Sequence, residues 1–267
     1  MSDGLAVVLD VAGTLLRMYR VAKDIERDLL LESVITWELV MEKCGRALLV
    51  PQLDPAVLSR LRPEDSVSTL VAGREEAVEI TCASSAISRA EALAVLRGSS
   101  ARISEMQEAY CAVMRRCPDG YHTAGMIVDV DQGHVTHALS TGGRPFPGIG
   151  DVLSRLEEMG AEVYVASGDS MRSLIYLEDL GIDLKRIHPV ASPTRKQEIV
   201  EELKERYGRV VMVGDGLNDL YALKAADLGI LTVQQDSNPS LRLRQAADRI
   251  ISDIRDLPDL LSCLGLG

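Results

Sequence analysis

The sequence predicts an α/β fold: a doubly wound, Rossmann-like parallel sheet with a second domain inserted into it. Two observations support this prediction. Outside residues 17–140, short apolar runs alternate with helical patterns, which is typical of parallel sheets flanked by helices. The alternation stops within residues 17–140 and resumes at the Pro- and Gly-rich segment 144–148, a composition typical of domain boundaries.

The predicted strands are continuous apolar runs, which indicate strands buried on both faces. They occupy residues 5–10, 162–166, 210–213, 228–231 and 249–252. Helical patterns fill the intervals at residues 149–159, 171–180, 195–207 and 219–226. Polar side chains that follow the strands are therefore expected at the carboxyl edge of one sheet, where ligands bind in this class of fold.

The inserted stretch is expected to form a mainly helical cap. Residues 23–43 have the periodicity of one long amphipathic helix, and two more helices are predicted at residues 88–96 and 103–114. Residues 126–139 alternate around Asp131-Gln132-Gly133, which predicts a hairpin. The predicted domains are a core of residues 1–16 and 141–267 and a cap of residues 17–140.

The composition argues against several classes of function. The net charge is −11, so a basic nucleic-acid-binding face is not expected. No apolar run approaches the ~20 residues of a membrane-spanning helix, and no secretory leader pattern is recognisable. We expect a cytoplasmic protein with reduced thiols, and the sequence indicates no particular oligomeric state. The scattered cysteines are Cys44, Cys82, Cys111, Cys117 and Cys263.

Four separated segments are expected to place polar groups at the ends of the four apolar strands. They are residues 10–14 (DVAGT), 166–169 (ASGD), 192–198 (SPTRKQE) and 214–219 (GDGLND). Asp10 is a candidate nucleophile that can attack phosphorus and form an aspartyl-phosphate. Asp10 and Asp215 can approach an anionic phosphate only with a divalent cation between them, and hard carboxylate oxygens suit magnesium.

Other groups in these segments can neutralise or bind the phosphoryl oxygens. Lys196 supplies a positive charge and can hold Asp10 in place. Ser167 offers a hydroxyl donor, and the backbone N–H groups of Gly168 and Gly13 can bind oxygens near helix N-termini.

Plainer interpretations of the same residues stay open. Ser167 is also a suitable helix N-cap, and Lys196 has the basic neighbours Arg195 and Lys185, as expected for a solvated helix start. Asp219 begins a predicted helix, where it can support the site or serve only as an N-terminal residue.

The four segments occur in the order of the motifs of the haloacid dehalogenase superfamily, which the chain resembles over residues 5–16 and about 144–260. Residues 146–153 (FPGIGDVL), 195–200 and 214–230 are similar to the phosphorylation domain of P-type ATPases and to soluble P-type-ATPase-like phosphatases. The resemblance implies Asp10 as nucleophile, Asp215 and the backbone carbonyl of Ala12 as magnesium ligands, and Ser167 and Lys196 as phosphoryl-binding residues. It implies supporting roles for Thr14, Asn218 and Asp219.

One position departs from the family pattern. Phosphatases of this superfamily usually carry a second Asp two residues after the nucleophile, as general acid and base, and here that position is Ala12. P-type ATPases have Thr there, and phosphonoacetaldehyde hydrolases have Ala. A cap residue could supply the missing acid, and His122, Glu26 and Arg20 are unranked candidates.

The function expected from these residues is a magnesium-dependent phosphohydrolase that acts through an aspartyl-phosphate on a small phosphorylated metabolite. Two alternatives remain open. One is a phosphotransferase or slow autophosphorylating module like that of P-type ATPases. The other is a non-enzymatic regulatory protein that lost turnover with Ala12.

Overall fold

The structure is a computed structural model and describes residues 2–169, 171–235 and 238–266. In these ranges every helix is too short or too polar to cross a bilayer. The strands, in chain order, are β1 (Ser2–Leu9), β2 (Leu16–Asp24), β3 (Leu29–Glu32), β4 (Arg46–Pro51), β5 (Val78–Ala83), β6 (Tyr121–Asp129), β7 (His134–Pro145), β8 (Ala161–Ala166), β9 (Ile187–His188), β10 (Tyr207–Gly214), β11 (Leu228–Thr232) and β12 (Arg249–Ile251).

Short helices connect these strands. The α-helices are α1 (Thr36–Met41), α2 (Arg89–Gly98), α3 (Ile103–Arg116), α4 (Ile149–Glu158), α5 (Met171–Leu174), α6 (Pro193–Lys204), α7 (Leu220–Ala225), α8 (Leu241–Arg244) and α9 (Leu257–Cys263). The 3₁₀ helices are Pro55–Arg60, Val67–Leu70, Glu75–Ala77, Ile175–Leu180, Leu184–Arg186, Leu217–Asp219 and Ile254–Asp256.

The chain divides into two compact units. The first contains Met1–Met18 and Arg144–Gly267, and the second contains Tyr19–Gly143. The sequence predicted domain boundaries after residues 16 and 140. The observed boundaries, after residues 18 and 143, both lie slightly further along the chain.

The first unit contains a six-stranded parallel sheet in the order β12-β11-β10-β1-β8-β9. The strand order runs outward in both directions from the centre, which is the doubly wound arrangement, and it confirms the predicted fold class. Strand β9 was not predicted, because two residues are too few to show a periodic pattern.

The burial of β1 on both faces explains why its sequence is a continuous apolar run. Residues 6–9 of β1 are completely buried, as expected for a strand covered by helices on both faces. Helix α4 packs on the sheet through buried side chains spaced three and four residues apart, namely Ile149, Val152, Leu153 and Leu156. Helix α6 starts where the Ser192 hydroxyl accepts the N–H of Arg195 at 3.2 Å, with Pro193 in its first turn.

The second unit is built around a six-stranded sheet in the order β3-β2-β7-β6-β4-β5. Its core packs side chains of α2 and α3, among them Leu96 and Met106, with Leu49 and Met126 of the sheet. The predicted helices at residues 88–96 and 103–114 correspond to α2 and α3, and the predicted hairpin corresponds to antiparallel β6 and β7.

The expectation that this insertion is mainly helical is wrong. Residues 23–43 are not one helix: they contain the end of β2, the strand β3 and the short helix α1. Asp28 and Ser33 have φ of 52° and 57°, and such left-handed residues end regular helix geometry. Leu29, Leu30 and Leu31 pair with β2 instead, so cross-strand pairing prevails over helical periodicity.

A smaller correction concerns the helix predicted at residues 171–180. The structure has α5 (Met171–Leu174) followed by the 3₁₀ helix Ile175–Leu180, which ends at Gly181 in the left-handed conformation. Short 3₁₀ segments commonly replace α-helix in such connections.

The close packing of α7 on β11 gives a test of the first unit. A Cβ added at Gly229 in β11 would lie 2.4 Å from the carbonyl oxygen of Leu223 in α7. Gly229→Ala is therefore expected to lower the free energy of unfolding by about 1–3 kcal/mol, because the backbone must shift to relieve the clash. Chemical denaturation followed by circular dichroism measures this change.

Gly150→Ala in α4 is the matched control, since a Cβ there meets no atom within 4 Å. Alanine should leave stability unchanged or raise it by up to about 1 kcal/mol, because it favours helix over glycine. Equal destabilisation by both variants would contradict the assigned packing of α7 on β11.

Candidate active site

Three strands of the parallel sheet end at the same place and carry three of the predicted site residues. Leu9, the last residue of β1, pairs with Val213 of β10 and with Val165 of β8. Asp10 follows β1 directly, and its N–H donates to the carbonyl of Val213 at 2.9 Å. Asp215 and Ser167 follow β10 and β8, so the topology brings all three segments to the carboxyl edge of the sheet.

Lys196 of α6 connects two of the carboxylates. Its side chain is completely buried, and its Nζ donates to Oδ1 of Asp10 and, at 2.7 Å, to Oδ1 of Asp219. The interpretation of Lys196 as a solvated residue is therefore wrong. Its neighbour Arg195 lies on the exposed face of the helix and pairs with Glu198 and Glu202 instead.

Asp219 fixes the turn that carries Asp215. Its second oxygen, Oδ2, accepts the backbone N–H groups of Asp215 at 3.2 Å and Gly216 at 3.1 Å. Both oxygens of this fully buried carboxylate are thus engaged by Lys196 and by the turn. The arrangement suits a supporting role that orients Asp215 and Lys196.

Gly13 allows the segments after β1 and β10 to approach each other. It has φ of +80°, and a Cβ built there would lie 1.7 Å from Oδ2 of Asp215. Any side chain at this position would occupy the space of the Asp215 carboxylate. Glycine is therefore required for both its backbone conformation and its lack of a side chain.

The electrostatics of Asp10 reflect its burial. Burial and the charge of Asp219 raise the pKa of Asp10 to about 7, although Lys196 acts in the opposite direction. Burial by itself lowers the pKa of Lys196, but the charges of Asp10 and Asp219 outweigh it and raise that pKa above its usual value. A lysine in this environment stays protonated, whereas the Asp10 carboxylate needs further positive charge to be fully ionised at neutral pH.

The donor set fits a divalent cation with oxygen ligands. One oxygen atom from each of Asp10, Asp215 and Asp219 lies within 4.8 Å of the others. Oδ2 of Asp10 is buried, and within the described residues it has no hydrogen-bond partner. A buried carboxylate oxygen left in this state is costly unless a cation or donor meets it. Both oxygens of Asp219 are already engaged by Lys196 and the turn, so Asp10 and Asp215 are the carboxylates of this group that could hold magnesium.

Ser167 and Gly168 lie in the turn after β8. The Ser167 hydroxyl is buried, accepts the N–H of Asp169 at 3.1 Å and lies 3.3 Å from Oδ2 of Asp169. The serine therefore caps the turn of residues 167–169, a role that is compatible with binding a phosphoryl oxygen. Gly168 is exposed at the same turn.

The remaining predicted residues have different environments. Thr14 is completely buried, and its Oγ1 finds no hydrogen-bond partner among the described residues. Ala12 is half-buried in the loop after β1, while Asn218 is exposed in the turn after β10. The substitutes considered for the absent acid, His122, Glu26 and Arg20, all belong to the second unit.

Two glutamines that the sequence motifs did not indicate hold the chain after β1, one in the loop and one at the start of β2. Gln234 and Gln235 follow β11 and donate their side-chain amides to carbonyl oxygens of Thr14 at 2.7 Å and Met18 at 3.2 Å. No periodicity or spacing identifies them. The one available signal was their position after a parallel strand, at the edge where functional groups gather.

Comparison with known proteins places the chain in a family. The model of the family described as haloacid dehalogenase-like hydrolase matches residues 5–227. The "Soluble P-type ATPase-like phosphatase" of Methanocaldococcus jannaschii is 29% identical over 257 residues, which cover 96% of this chain and 92% of that protein. The "Potassium-transporting ATPase ATP-binding subunit" of Halobacterium salinarum is 36% identical over 108 residues, which cover 35% of this chain and only 15% of the subunit.

Solved structures similar to this chain include the catalytic domain of the CPx-ATPase CopB-B, with 25% identity and a TM-score of 0.43 over 54% of this chain and 57% of that one. A zinc-transporting PIB-type ATPase has 16% identity and a TM-score of 0.47 over 96% of this chain and 40% of the ATPase. Since the family model spans most of the sequence, the chain belongs to the haloacid dehalogenase-like hydrolase family, which confirms the motif resemblance and the prediction of a hydrolytic enzyme.

Proposed function

We propose that the chain is a magnesium-dependent phosphohydrolase that acts on a small phosphorylated metabolite through an aspartyl-phosphate at Asp10. The observation that carries this proposal is the state of the Asp10 carboxylate. One oxygen is held by Lys196, and the other is buried without a hydrogen-bond partner among the described residues. A nucleophile needs this arrangement: Lys196 positions one oxygen, and the carboxylate keeps a second oxygen for phosphorus or magnesium.

The proposed reaction has two steps. In the first, an Asp10 oxygen forms a bond to phosphorus while the bond from phosphorus to the leaving-group oxygen breaks. In the second, a water oxygen forms a bond to phosphorus while the bond from phosphorus to the Asp10 oxygen breaks. Inorganic phosphate leaves with the oxygen of the water, the proton of the water passes to solvent, and the Asp10 carboxylate is restored. The buried ammonium of Lys196 balances negative charge beside Asp10, and the Ser167 hydroxyl is the proposed donor to a phosphoryl oxygen.

Magnesium would be held by Asp10, Asp215 and the backbone carbonyl of Ala12, and it would supply the positive charge that lets an anionic phosphate approach two carboxylates. The protein's own residues set the arrangement: Asp219 holds the turn of Asp215, and Gly13 leaves room for that carboxylate. We also propose a cytoplasmic location, which is supported by the scattered positions of the five cysteines in the sequence.

Replacing the nucleophile tests the proposal directly. Asp10→Asn should reduce magnesium-dependent phosphatase activity to background, because an amide cannot form the aspartyl-phosphate. A screen of small phosphorylated metabolites, with and without magnesium, measures the activity. Peptide mapping after treatment with magnesium and beryllium fluoride should place the adduct of the unaltered protein at Asp10.

Asp151→Asn, on the exposed face of α4, is the control and should keep full activity. If Asp10→Asn retains catalysis, or the adduct maps to Ser167, the proposed nucleophile is wrong.

Two substitutions test the cation site: one removes a negative charge, and the other adds a methyl group beside the Asp215 carboxylate. Asp215→Asn should weaken magnesium binding and abolish turnover while the fold stays intact. Gly13→Ala should also weaken magnesium binding, because the added methyl would overlap Oδ2 of Asp215. Isothermal titration calorimetry with magnesium measures both effects.

Gly160→Ala is the matched control for Gly13→Ala. Gly160 has a similar positive φ of 75°, and a Cβ there meets no atom within 4 Å. Both alanine variants carry the same backbone strain, but Gly160→Ala should bind magnesium normally. If Asp215→Asn and Gly13→Ala both bind magnesium as tightly as the unaltered protein, the cation lies elsewhere.

The alanine at position 12 allows a prediction about which leaving groups the enzyme prefers. A methyl group cannot protonate an alkoxide or activate the attacking water, and general acid–base catalysis is typically worth about 10²–10⁴-fold. We expect slow turnover of alkyl phosphates and faster turnover of aryl or acyl phosphates. Ala12→Asp should accelerate alkyl esters by at least about 10-fold and shorten the lifetime of the Asp10 adduct.

Rates of both proteins on a series of esters that differ in leaving-group basicity provide the measurement. Rapid hydrolysis of alkyl esters by the unaltered protein, with little dependence on basicity, would show that another residue transfers the proton. An acid-stable adduct that accumulates without release of phosphate would instead favour the autophosphorylating alternative.

A further inference from the structure

The loop after β1 is held by the side chain of Gln234, which lies in the connection after β11. Nε2 of Gln234 lies 2.7 Å from the carbonyl oxygen of Thr14 and 3.4 Å from that of Gly13. Its Oε1 accepts the backbone N–H of Ile254 at 3.0 Å. One half-buried amide therefore joins the loop after β1 to the segment after β12.

The two carbonyls that Gln234 meets belong to buried residues, Gly13 and Thr14. A buried carbonyl needs a hydrogen-bond donor, and Gln234 is the partner that the described structure provides for both. Without the glutamine amide, this loop would have to rearrange or admit water.

The geometry of Gly13 shows why the position of this loop matters for the site. Its N–H donates to the carbonyl of Leu16 at 2.8 Å, and its own carbonyl lies beside Gln234. Because a peptide unit is planar and trans, the Ala12 carbonyl points away from the Gly13 N–H in the same plane. The hydrogen bond to Leu16 therefore sets the direction of the Ala12 carbonyl. The contact with Gln234 fixes the next peptide, and with it the place of Gly13 against Asp215.

We propose that Gln234 is a positioning residue, which holds the loop after β1 so that the Ala12 carbonyl and the Asp10 and Asp215 carboxylates converge on one cation. The proposal rests on the proposed magnesium site. It assigns a role to the carboxyl end of β11, which none of the four sequence motifs covers. Residues that orient metal ligands without touching the metal commonly change affinity or activity by about 10–100-fold when they are replaced.

The adjacent residue provides an internal comparison. Gln235 makes contacts of the same kind with Met18: its Oε1 accepts the Met18 N–H at 2.9 Å, and its Nε2 donates to the Met18 carbonyl at 3.2 Å. Met18 is the residue at which the amino-terminal segment of the first unit ends. Gln235 therefore anchors the same stretch of chain, but at a point further along the sequence from Ala12 and Gly13.

The experiment uses three variants of the full chain. Gln234→Glu keeps the acceptor for Ile254 and removes the donor to the Gly13 and Thr14 carbonyls, while its added charge should if anything attract magnesium. Gln234→Met removes both kinds of hydrogen bond at similar length. Gln235→Met removes the two bonds to Met18. Magnesium affinity is measured by isothermal titration calorimetry, thermal stability by circular dichroism, and kcat and KM on an aryl phosphate.

Both Gln234 variants should bind magnesium about 10-fold more weakly, with a lower kcat and an unchanged KM at saturating magnesium. Gln235→Met should lower thermal stability but change magnesium affinity by less than about twofold. Gln234→Glu is decisive when circular dichroism shows that it is folded at the temperature of the titration. The added negative charge by itself would strengthen cation binding, so weaker binding by the folded variant reports displaced ligands.

Three outcomes would overturn the positioning role. They are normal magnesium affinity in Gln234→Glu, equal losses of affinity in the Gln234 and Gln235 variants, and an unaltered protein that binds no magnesium. If the unaltered protein binds magnesium but hydrolyses no phosphate ester, the proposed function fails, and the role of Gln234 is still decided by the binding data.

Discussion

The buried ammonium of Lys196 is the interaction on which the candidate site depends. Removing charged groups from water costs several kcal/mol each, and the cost is offset only by close opposite charges and complete hydrogen bonding. Lys196 meets Asp10 and Asp219, and Asp219 in turn holds the backbone of Asp215 and Gly216. One continuous set of contacts thus fixes α6, the end of β1 and the turn after β10. The same set leaves one oxygen of Asp10 without a protein partner among the described residues.

The parallel sheet could be predicted because strands that are buried on both faces have continuous apolar sequences. The apolar runs that predicted β1, β8, β10 and β11 have no alternation, since helices cover both sides of the sheet. The edge element β9 has two residues, too few to form such a run. The approach of Asp10, Ser167 and Asp215 could be expected by the same logic, because groups after parallel strands meet at one edge whatever their distance in sequence.

The insertion was harder to predict because its strands and helices are decided by partners remote in sequence. The Leu29–Glu32 segment fits a helical pattern with its neighbours, but in the structure it pairs with β2. Gln234 and Gln235 were missed for a related reason. Their importance lies in which backbone groups they meet, and those groups are more than 200 residues away, with sequence separations of 217 to 221. Only three-dimensional information supplies such a pairing.

The central position of β1 has a consequence for how the protein forms during synthesis. The strand is made before both of its neighbours in the sheet, which are Ala161–Ala166 and Tyr207–Gly214. Domains commonly fold as units while the ribosome is still adding residues. The second unit, Tyr19–Gly143, can therefore be complete while β1 still lacks both partners. An apolar strand without its partners is exposed to aggregation, so β1 needs protection in the nascent chain until residues 161–166 and 207–214 have been made.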